Sequence, residues 1–203
     1  MAPTHFVAIR VRDEGVLERF EEFLEHMKTV DRSLSYSFCR LSRSHVTLAV
    51  LNCPREREEE LSQNFMRVMS HHYQEHFRGQ PLLRLKFEGL GRRTLWNGHQ
   101  LIYAKVSAGI GQERLRALIQ DLRRTLNAIE GVDVKHVEEE PFLHTSLINT
   151  KIGGNKENID PNALHPHADT VFGEQVLYDV QLLDLRKKGE DGYYKVEATQ
   201  TMA

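Results

Sequence analysis

The feature that most constrains the fold of this chain is an internal repeat. In the first half, a short apolar strand at 5–11 is followed by an amphipathic helix and a second strand at 44–51. In the second half, a strand at 101–107, another amphipathic helix and a strand at 142–149 follow in the same order. Such a repeat predicts two similar α+β lobes, with the second strands of the two copies side by side at a pseudo-two-fold axis.

The second strand of each copy carries a histidine, one spacer and a hydroxyl residue. The pairs are His45 with Thr47 and His144 with Ser146, and the two histidines lie 99 positions apart. Residues i and i+2 of a strand point to the same face, so each histidine shares a face with its hydroxyl. If the two strands are neighbours, two imidazoles and two hydroxyls converge on one cleft.

These four groups suit the chemistry of a phosphodiester. An unperturbed histidine titrates near pH ~6.5, so a neutral imidazole can take a proton from water while a protonated one donates to the leaving oxygen. Thr47 and Ser146 can donate hydrogen bonds to non-bridging phosphate oxygens. The motifs contain no carboxylates that would hold a metal ion, so no metal and no cofactor are expected. A single copy is a weak signal, but two copies in register with the repeat are much stronger.

The sequences HVTL at 45–48 and HTSL at 144–147 resemble the motifs of the two-histidine (2H) phosphoesterase superfamily. The segments THF, LIYAKV and LHTSLINT are similar to the branch named after the central domain of an A-kinase anchoring protein. The resemblance covers about residues 4–196. It implies an α+β, bilobal 2H phosphoesterase fold, in which two pseudo-symmetric lobes of antiparallel sheet with flanking helices surround a central cleft. Residues 1–203 would then form a single domain.

The same resemblance implies catalytic roles for His45 and His144, and phosphate binding by Thr47 and Ser146. Ser146 stands where threonine is commoner in the family, and it keeps the hydroxyl. The implied activity is metal-independent hydrolysis of 2′,3′-cyclic phosphate ends or of 2′-5′ phosphodiester linkages in RNA. A non-catalytic module that binds AMP-like nucleotides or RNA ends would use the same four residues. The sequence leaves open this alternative, the choice of substrate, and which histidine is the acid.

Five further residues are candidates for contacts with the base or the phosphate. Tyr36, Phe38 and Arg40 precede the first motif in a segment that could overhang the cleft, where an aromatic or guanidinium plane could stack on a base. Tyr103 could line the cleft, and Lys151 could neutralise phosphate. Each has a structural alternative, namely a core position for Phe38 and Tyr103 and a solvated charge for the two cations.

Two other patterns in the sequence could indicate a metal site or an RNA-binding surface. His72 and His76 match H-x-x-E-H, a zinc-binding pattern, but they are interpreted as part of the polar face of an amphipathic helix. The basic pairs at 92–93 and 123–124 are interpreted as surface charge, although they could help an RNA to approach.

Composition narrows the classes of partner. The chain has 203 residues with 27 Lys and Arg against 29 Asp and Glu, so a protein that coats nucleic acid by bulk charge is disfavoured. RNA ends or small nucleotides remain the expected partners, and we expect the chain to belong to a larger RNA-associated protein. No apolar run approaches the ~20 residues that cross a bilayer, so no membrane partner is expected. Cys39 and Cys53 are interpreted as free thiols, which favours a cytoplasmic or nuclear location.

Overall fold

A computed structural model describes residues 2–95, 97–154 and 159–202. Its strands are β1 (His5–Arg10), β2 (His45–Asn52), β3 (Arg84–Thr94), β4 (Gln100–Ser107), β5 (Asp133–Val134), β6 (His144–Asn149), β7 (Val171–Val176), β8 (Asp179–Lys188) and β9 (Tyr194–Thr201). Its α-helices are α1 (Glu14–Val30), α2 (Glu58–His72), α3 (Gln112–Asn127), α4 (Thr150–Gly153) and α5 (Pro161–Leu164). Two 3₁₀ turns, at Arg32–Ser37 and Leu41–Arg43, lead into the first histidine strand.

The strands form two antiparallel sheets, and the predicted α+β fold class is confirmed. The first sheet has the order β5-β2-β1-β8-β9, and the second has the order β6-β4-β3-β7. Each leading strand of the repeat pairs with its histidine strand, β1 with β2 and β4 with β6. The two histidine strands therefore belong to different sheets, and each sheet contains one copy of the motif.

Both histidine strands carry a β-bulge at the same motif position. In the first sheet, Val7 pairs with Ala49 and Ala8 with Thr47, so Leu48 is the extra residue. The pairing of β4 with β6 skips Leu147 in the same way. A bulge bends a strand and re-aims its side chains, and bulges are frequent beside functional sites. In each copy the bulge follows the hydroxyl residue directly.

The long helices of the repeat are exchanged between the sheets. Helix α1 connects two strands of the first sheet, yet its buried face packs on the second. Phe20 of α1 lies edge-on to Phe87 of β3 and Phe172 of β7, with ring centroids 5.8 and 5.1 Å apart. Gly173 of β7 has φ +127°, and a Cβ there would lie 3.1 Å from the Val16 side chain of α1, so this close approach needs glycine.

Helix α3 makes the reciprocal exchange. It follows strand β4 of the second sheet but packs beside α2 on the first sheet, where the Arg123 side chain reaches the Leu48 carbonyl of β2. Helical periodicity identifies an apolar face without saying which sheet that face covers, so the repeat did not predict this exchange. Neither sheet is covered by the helix of its own repeat.

The histidine strands meet where the two sheets approach each other. Strand β6 is an edge strand, and β5 covers β2 only at Leu51 and Asn52. The buried Thr145 hydroxyl donates to the His45 carbonyl across this junction, at 3.3 Å. The strands thus lie side by side as contacting edges of two sheets. In the described part of the chain, no helix is long and apolar enough to cross a membrane.

We expect Phe20→Ala to lower the free energy of unfolding by about 3–5 kcal/mol, because it removes the phenyl ring that packs between α1 and the second sheet and leaves a cavity there. Urea unfolding monitored by circular dichroism measures the loss. Val30→Ala at the end of the same helix, where the side chain is 51% exposed, is the control and should change stability by no more than about 0.5 kcal/mol. Equal stabilities of the two variants would contradict the helix exchange.

Candidate functional site

Strand alternation places the four motif side chains as the sequence predicts. His45 and Thr47 are half-buried on one face of β2, and His144 and Ser146 are half-buried on one face of β6. The residues between and after them point inward and are buried: Val46, Leu48, Thr145 and Leu147. Each histidine therefore shares a partly open face with its hydroxyl residue.

Both imidazoles are held in the same way. The Nδ1 atom of His45 lies 2.7 Å from the Arg43 carbonyl oxygen, and that of His144 lies 3.0 Å from the Phe142 carbonyl oxygen. In both cases the acceptor is the carbonyl two residues earlier, so Nδ1 must carry the proton. Each neutral ring consequently keeps its lone pair on Nε2, and the protonated ring would donate from Nε2.

The surroundings favour the neutral form of both rings. Burial lowers the pKa of His45, the Arg43 carbonyl opposes this shift, and the charges of His144 and Lys188 lower the pKa further. Burial also lowers the pKa of His144, opposed by the Phe142 carbonyl and assisted by Arg93. The first histidine is sensitive to the charge of the second, so protonation of one ring disfavours protonation of the other.

Aromatic side chains surround both histidines. The ring of His45 packs against Phe6 and Tyr194, with centroids 5.0 and 5.8 Å away. The ring of His144 is stacked on Phe142 at 4.5 Å and an interplanar angle of 29°, and Tyr103 lies 5.3 Å away. These contacts fix the ring planes and account for the burial that lowers both pKa values.

A cation lies over one aromatic neighbour of each histidine. On the His45 side, Lys188 Nζ is 3.3 Å from the centroid of the Tyr194 ring. On the His144 side, Arg93 Cζ is 5.8 Å from the centroid of the Phe142 ring. Neither cation forms an ion pair with a carboxylate of the described residues. The site therefore has an aromatic residue and an unneutralised cation on both sides.

A cavity of about 430 Å³ opens between the two strands. Its wall includes His45 of the first motif and Ser146 of the second, together with Arg43 and Tyr194. Thr47 and His144 share the strand faces but do not line it. A larger depression of about 580 Å³ lies around Arg114 and contains no motif residue, so it has no relation to this chemistry.

The five additional candidates have different positions. Phe38 and Arg40 line the cavity, because the Cys39 amide donates to the Leu147 carbonyl and docks this segment on β6. Tyr36 is 74% exposed and, like the exposed Lys151, does not line the cavity.

Tyr103 is buried, at 9% exposure, beneath His144. It lies across Gly91, where a Cβ would come within 2.2 Å of the tyrosine ring. Tyr103 therefore occupies a core position beneath the His144 ring and does not line the cavity.

Several residues around the site were not identified from the sequence. Phe142 precedes His144 by two positions, as Arg43 precedes His45, and this matching offset is the only signal that could have found them. Lys188 and Tyr194 come from the C-terminal strand pair, far from both motifs in sequence, and no local pattern marks them.

Two interpretations of surface residues were wrong. Arg123 is 8% exposed and donates to backbone carbonyls, so it is not surface charge. His72 is 2% exposed, and its Nε2 lies 2.8 Å from Asp121 Oδ2 on α3, so it is not on a polar helix face. Among the described residues, no group of three or more His, Cys, Asp or Glu side chains could hold a metal ion.

The two sheets with one H-x-[ST] strand each define a 2H phosphoesterase fold. Escherichia coli LigT complexed with 3′-AMP has this fold, with a TM-score of 0.63 and 16% sequence identity over 100% of this chain and 99% of that one. A crystal structure of TT0787 from Thermus thermophilus has a TM-score of 0.62 and 16% identity, covering 98% of this chain and 97% of that one.

Sequence comparison identifies the branch. Residues 3–202 match the family described as the AKAP7 2′5′ RNA ligase-like domain, and the chain belongs to that family. The human protein A-kinase anchor protein 7 isoform gamma is 22% identical over 201 residues, which are 97% of this chain and 56% of that protein. The chain thus spans about half the length of this relative. The resemblance to the A-kinase anchoring branch is confirmed.

Above pH 7.5 we expect both His45 and His144 to be neutral, with the proton on Nδ1. The titration midpoint of each ring should lie below pH ~6.5, because burial lowers both pKa values. Long-range ¹⁵N–¹H NMR spectra of the free protein across pH 5–8 measure both properties. His45→Ala and His144→Ala spectra assign the signals. A proton on Nε2, or midpoints above pH ~6.5, would contradict this account of the site.

Proposed function

We propose that this protein is a metal-independent phosphodiesterase that hydrolyses 2′,3′-cyclic phosphate ends or 2′-5′ linkages of RNA by general acid–base catalysis. The observation that carries the proposal is the matched pair of imidazoles, each held through Nδ1 and each followed two positions later by a hydroxyl residue. Membership in a 2H phosphoesterase family supports phosphodiester chemistry in general. The relative LigT has been crystallised with phosphate and with 3′-AMP.

The reaction follows from the two Nε2 atoms. For a cyclic phosphate, the neutral imidazole takes a proton from water as the water oxygen bonds to phosphorus. The bond from phosphorus to one ribose oxygen breaks, and the protonated imidazole donates its Nε2 proton to that oxygen. For a 2′-5′ linkage, the neighbouring 3′-OH attacks in place of water. The products are then a 2′,3′-cyclic phosphate and a free 5′-OH.

Thr47 and Ser146 supply the phosphate contacts in this proposal. Each hydroxyl donates to a non-bridging oxygen, where charge increases in the transition state. The two hydroxyl residues come from opposite sheets, so they would bind the phosphate from two sides. This arrangement needs both halves of the chain, and we accordingly treat residues 1–203 as one catalytic domain.

A second candidate function is a module that binds AMP-like nucleotides or RNA ends without turnover. Two findings favour it: the structural neighbour LigT has been crystallised with the nucleotides 3′-AMP and ATP, and burial lowers the pKa of both histidines in the free protein, so that fewer rings are protonated to serve as the acid. A bound phosphate would raise both pKa values, because an adjacent negative charge favours the imidazolium. The two functions therefore differ in turnover and share the same contacts.

The aromatic and cationic neighbours suit the nucleotide around the phosphate. Phe142 is 43% exposed and Tyr194 lines the cavity, so an aromatic side chain lies on either side of the site and would contact a base there. Stacking contributes about 1–3 kcal/mol per base. Lys188 and Arg93 would attract a neighbouring phosphate, and the cavity residues Phe38 and Arg40 would contact the same nucleotide.

We expect the protein to cleave short RNAs that end in a 2′,3′-cyclic phosphate or contain a 2′-5′ linkage, with EDTA present throughout. His45→Ala and His144→Ala should each lower kcat by about 10²–10⁴-fold, the usual contribution of a general acid or base. Chromatography of the products shows which ester bond breaks.

An exposed histidine provides the matched control for this assay. His71→Ala, on the exposed side of helix α2 and outside the cavity, should leave kcat unchanged. No cleavage by the wild type, with AMP still raising its melting temperature, would select the binding module. Activity that EDTA abolishes and zinc restores would contradict the metal-independent mechanism.

We expect Lys188→Met to weaken the salt dependence of kcat/KM for a single-stranded oligonucleotide, because the lysine would neutralise a phosphate. The slope of log kcat/KM against log salt should fall by about 0.7 for one lost contact. Lys28→Met, on the exposed side of α1, is the control and should keep the wild-type slope. Identical slopes for all three proteins would remove Lys188 from the substrate site.

A further inference from the structure

The guanidinium of Arg123 is buried among backbone carbonyls. Its Nε donates to the Leu48 carbonyl at 2.9 Å, and its Nη1 donates to the carbonyls of His136 and Glu139 at 3.0 and 2.9 Å. Burial lowers the pKa of Arg123, and the charge of Glu139 only opposes this shift. Burying a charged group is costly unless its hydrogen bonds are made, so these three bonds determine where the side chain can lie.

The carbonyl that Arg123 Nε reaches belongs to the bulge residue of the first motif. Leu48 is the residue that the pairing of β1 with β2 skips, and it follows Thr47 directly. On the other edge of β2, strand β5 pairs only with Leu51 and Asn52. At Leu48, the hydrogen bond that a neighbouring strand would supply is therefore donated by the side chain of Arg123, which lies on a helix from the other half of the chain.

The second motif has the same arrangement with a different donor. Leu147 is the bulge residue of β6 and follows Ser146 directly. Its carbonyl accepts a hydrogen bond from the backbone amide of Cys39, at 2.9 Å. In both copies the carbonyl after the hydroxyl residue is held from outside its own sheet, by a donor from the opposite half of the chain.

From this correspondence we propose that Arg123 is a positioning residue of the phosphate site. By fixing the Leu48 carbonyl, it fixes the turn of the backbone at the bulge and so the direction of the Thr47 hydroxyl. The inference rests on the proposed function, in which Thr47 binds phosphate. Arg123 lies on the helix side of the sheet and does not touch the substrate, so it acts on phosphate affinity and leaves the protonation of the histidines unchanged.

The test compares Arg123→Met with Arg124→Met in the full chain. Arg124 is the next residue of the same helix, but it is exposed and pairs with Glu138. Binding of AMP and of inorganic phosphate is titrated well below the melting temperature of every variant. We expect Arg123→Met to raise Kd about tenfold, the size of effect of one lost hydrogen bond to a charged ligand. Arg124→Met should match the wild type, and Thr47→Ala gives the loss for the hydroxyl itself.

Two further measurements separate positioning from general destabilisation. Arg123→Lys keeps one cationic donor and should recover part of the affinity, and guanidinium ion added to Arg123→Ala should recover more of it. The titration midpoints of His45 and His144 in Arg123→Lys should equal those of the wild type.

The outcomes separate this inference from the proposed function. If Arg123→Lys, or a folded Arg123→Met, binds AMP as tightly as the wild type while Thr47→Ala does not, Arg123 is only structural and the inference is overturned. If the wild type itself binds neither AMP nor phosphate, the proposed function fails first, and the inference fails with it.

Discussion

The site depends on the contact between two strand edges that belong to different sheets. The Thr145 hydroxyl bonds to the His45 carbonyl across this junction, so the spacer residue of one motif holds the backbone of the other. The exchanged helices α1 and α3 hold the sheets in this arrangement, because each follows a strand of one sheet and packs on the other sheet. A change in either helix contact would therefore move one histidine strand relative to the other.

The internal symmetry of the chain extends beyond the motifs themselves. Both histidines use the carbonyl two positions earlier to hold Nδ1, and both strands bulge after the hydroxyl residue. The differences lie in the neighbours. The His45 ring is tilted against Phe6 and perpendicular to Tyr194, whereas the His144 ring is stacked on Phe142. A symmetric pair of acid–base groups in unequal surroundings can bind an unsymmetric substrate in a preferred direction.

The sequence predicted the parts of this structure that depend on local pattern. Strand alternation was sufficient to place His45 with Thr47 and His144 with Ser146, and the repeat indicated that the strands meet. It did not reveal the helix exchange, because an apolar stripe such as that of α1 does not specify the surface it covers. Arg123 looked like a surface cation for the related reason that its partners are backbone carbonyls of segments distant in sequence.

The central claim is that the hydroxyls of both motifs act on one phosphate, and a double-mutant cycle tests it most directly. Kd for inorganic phosphate is measured for the wild type, Thr47→Ala, Ser146→Ala and the double variant. Groups that bind the same ion should show a coupling free energy of at least about 0.5 kcal/mol, so that the second substitution costs less or more than it does alone. Strictly additive losses, or an effect of only one hydroxyl, would show that the two motifs do not share a phosphate and would contradict the account.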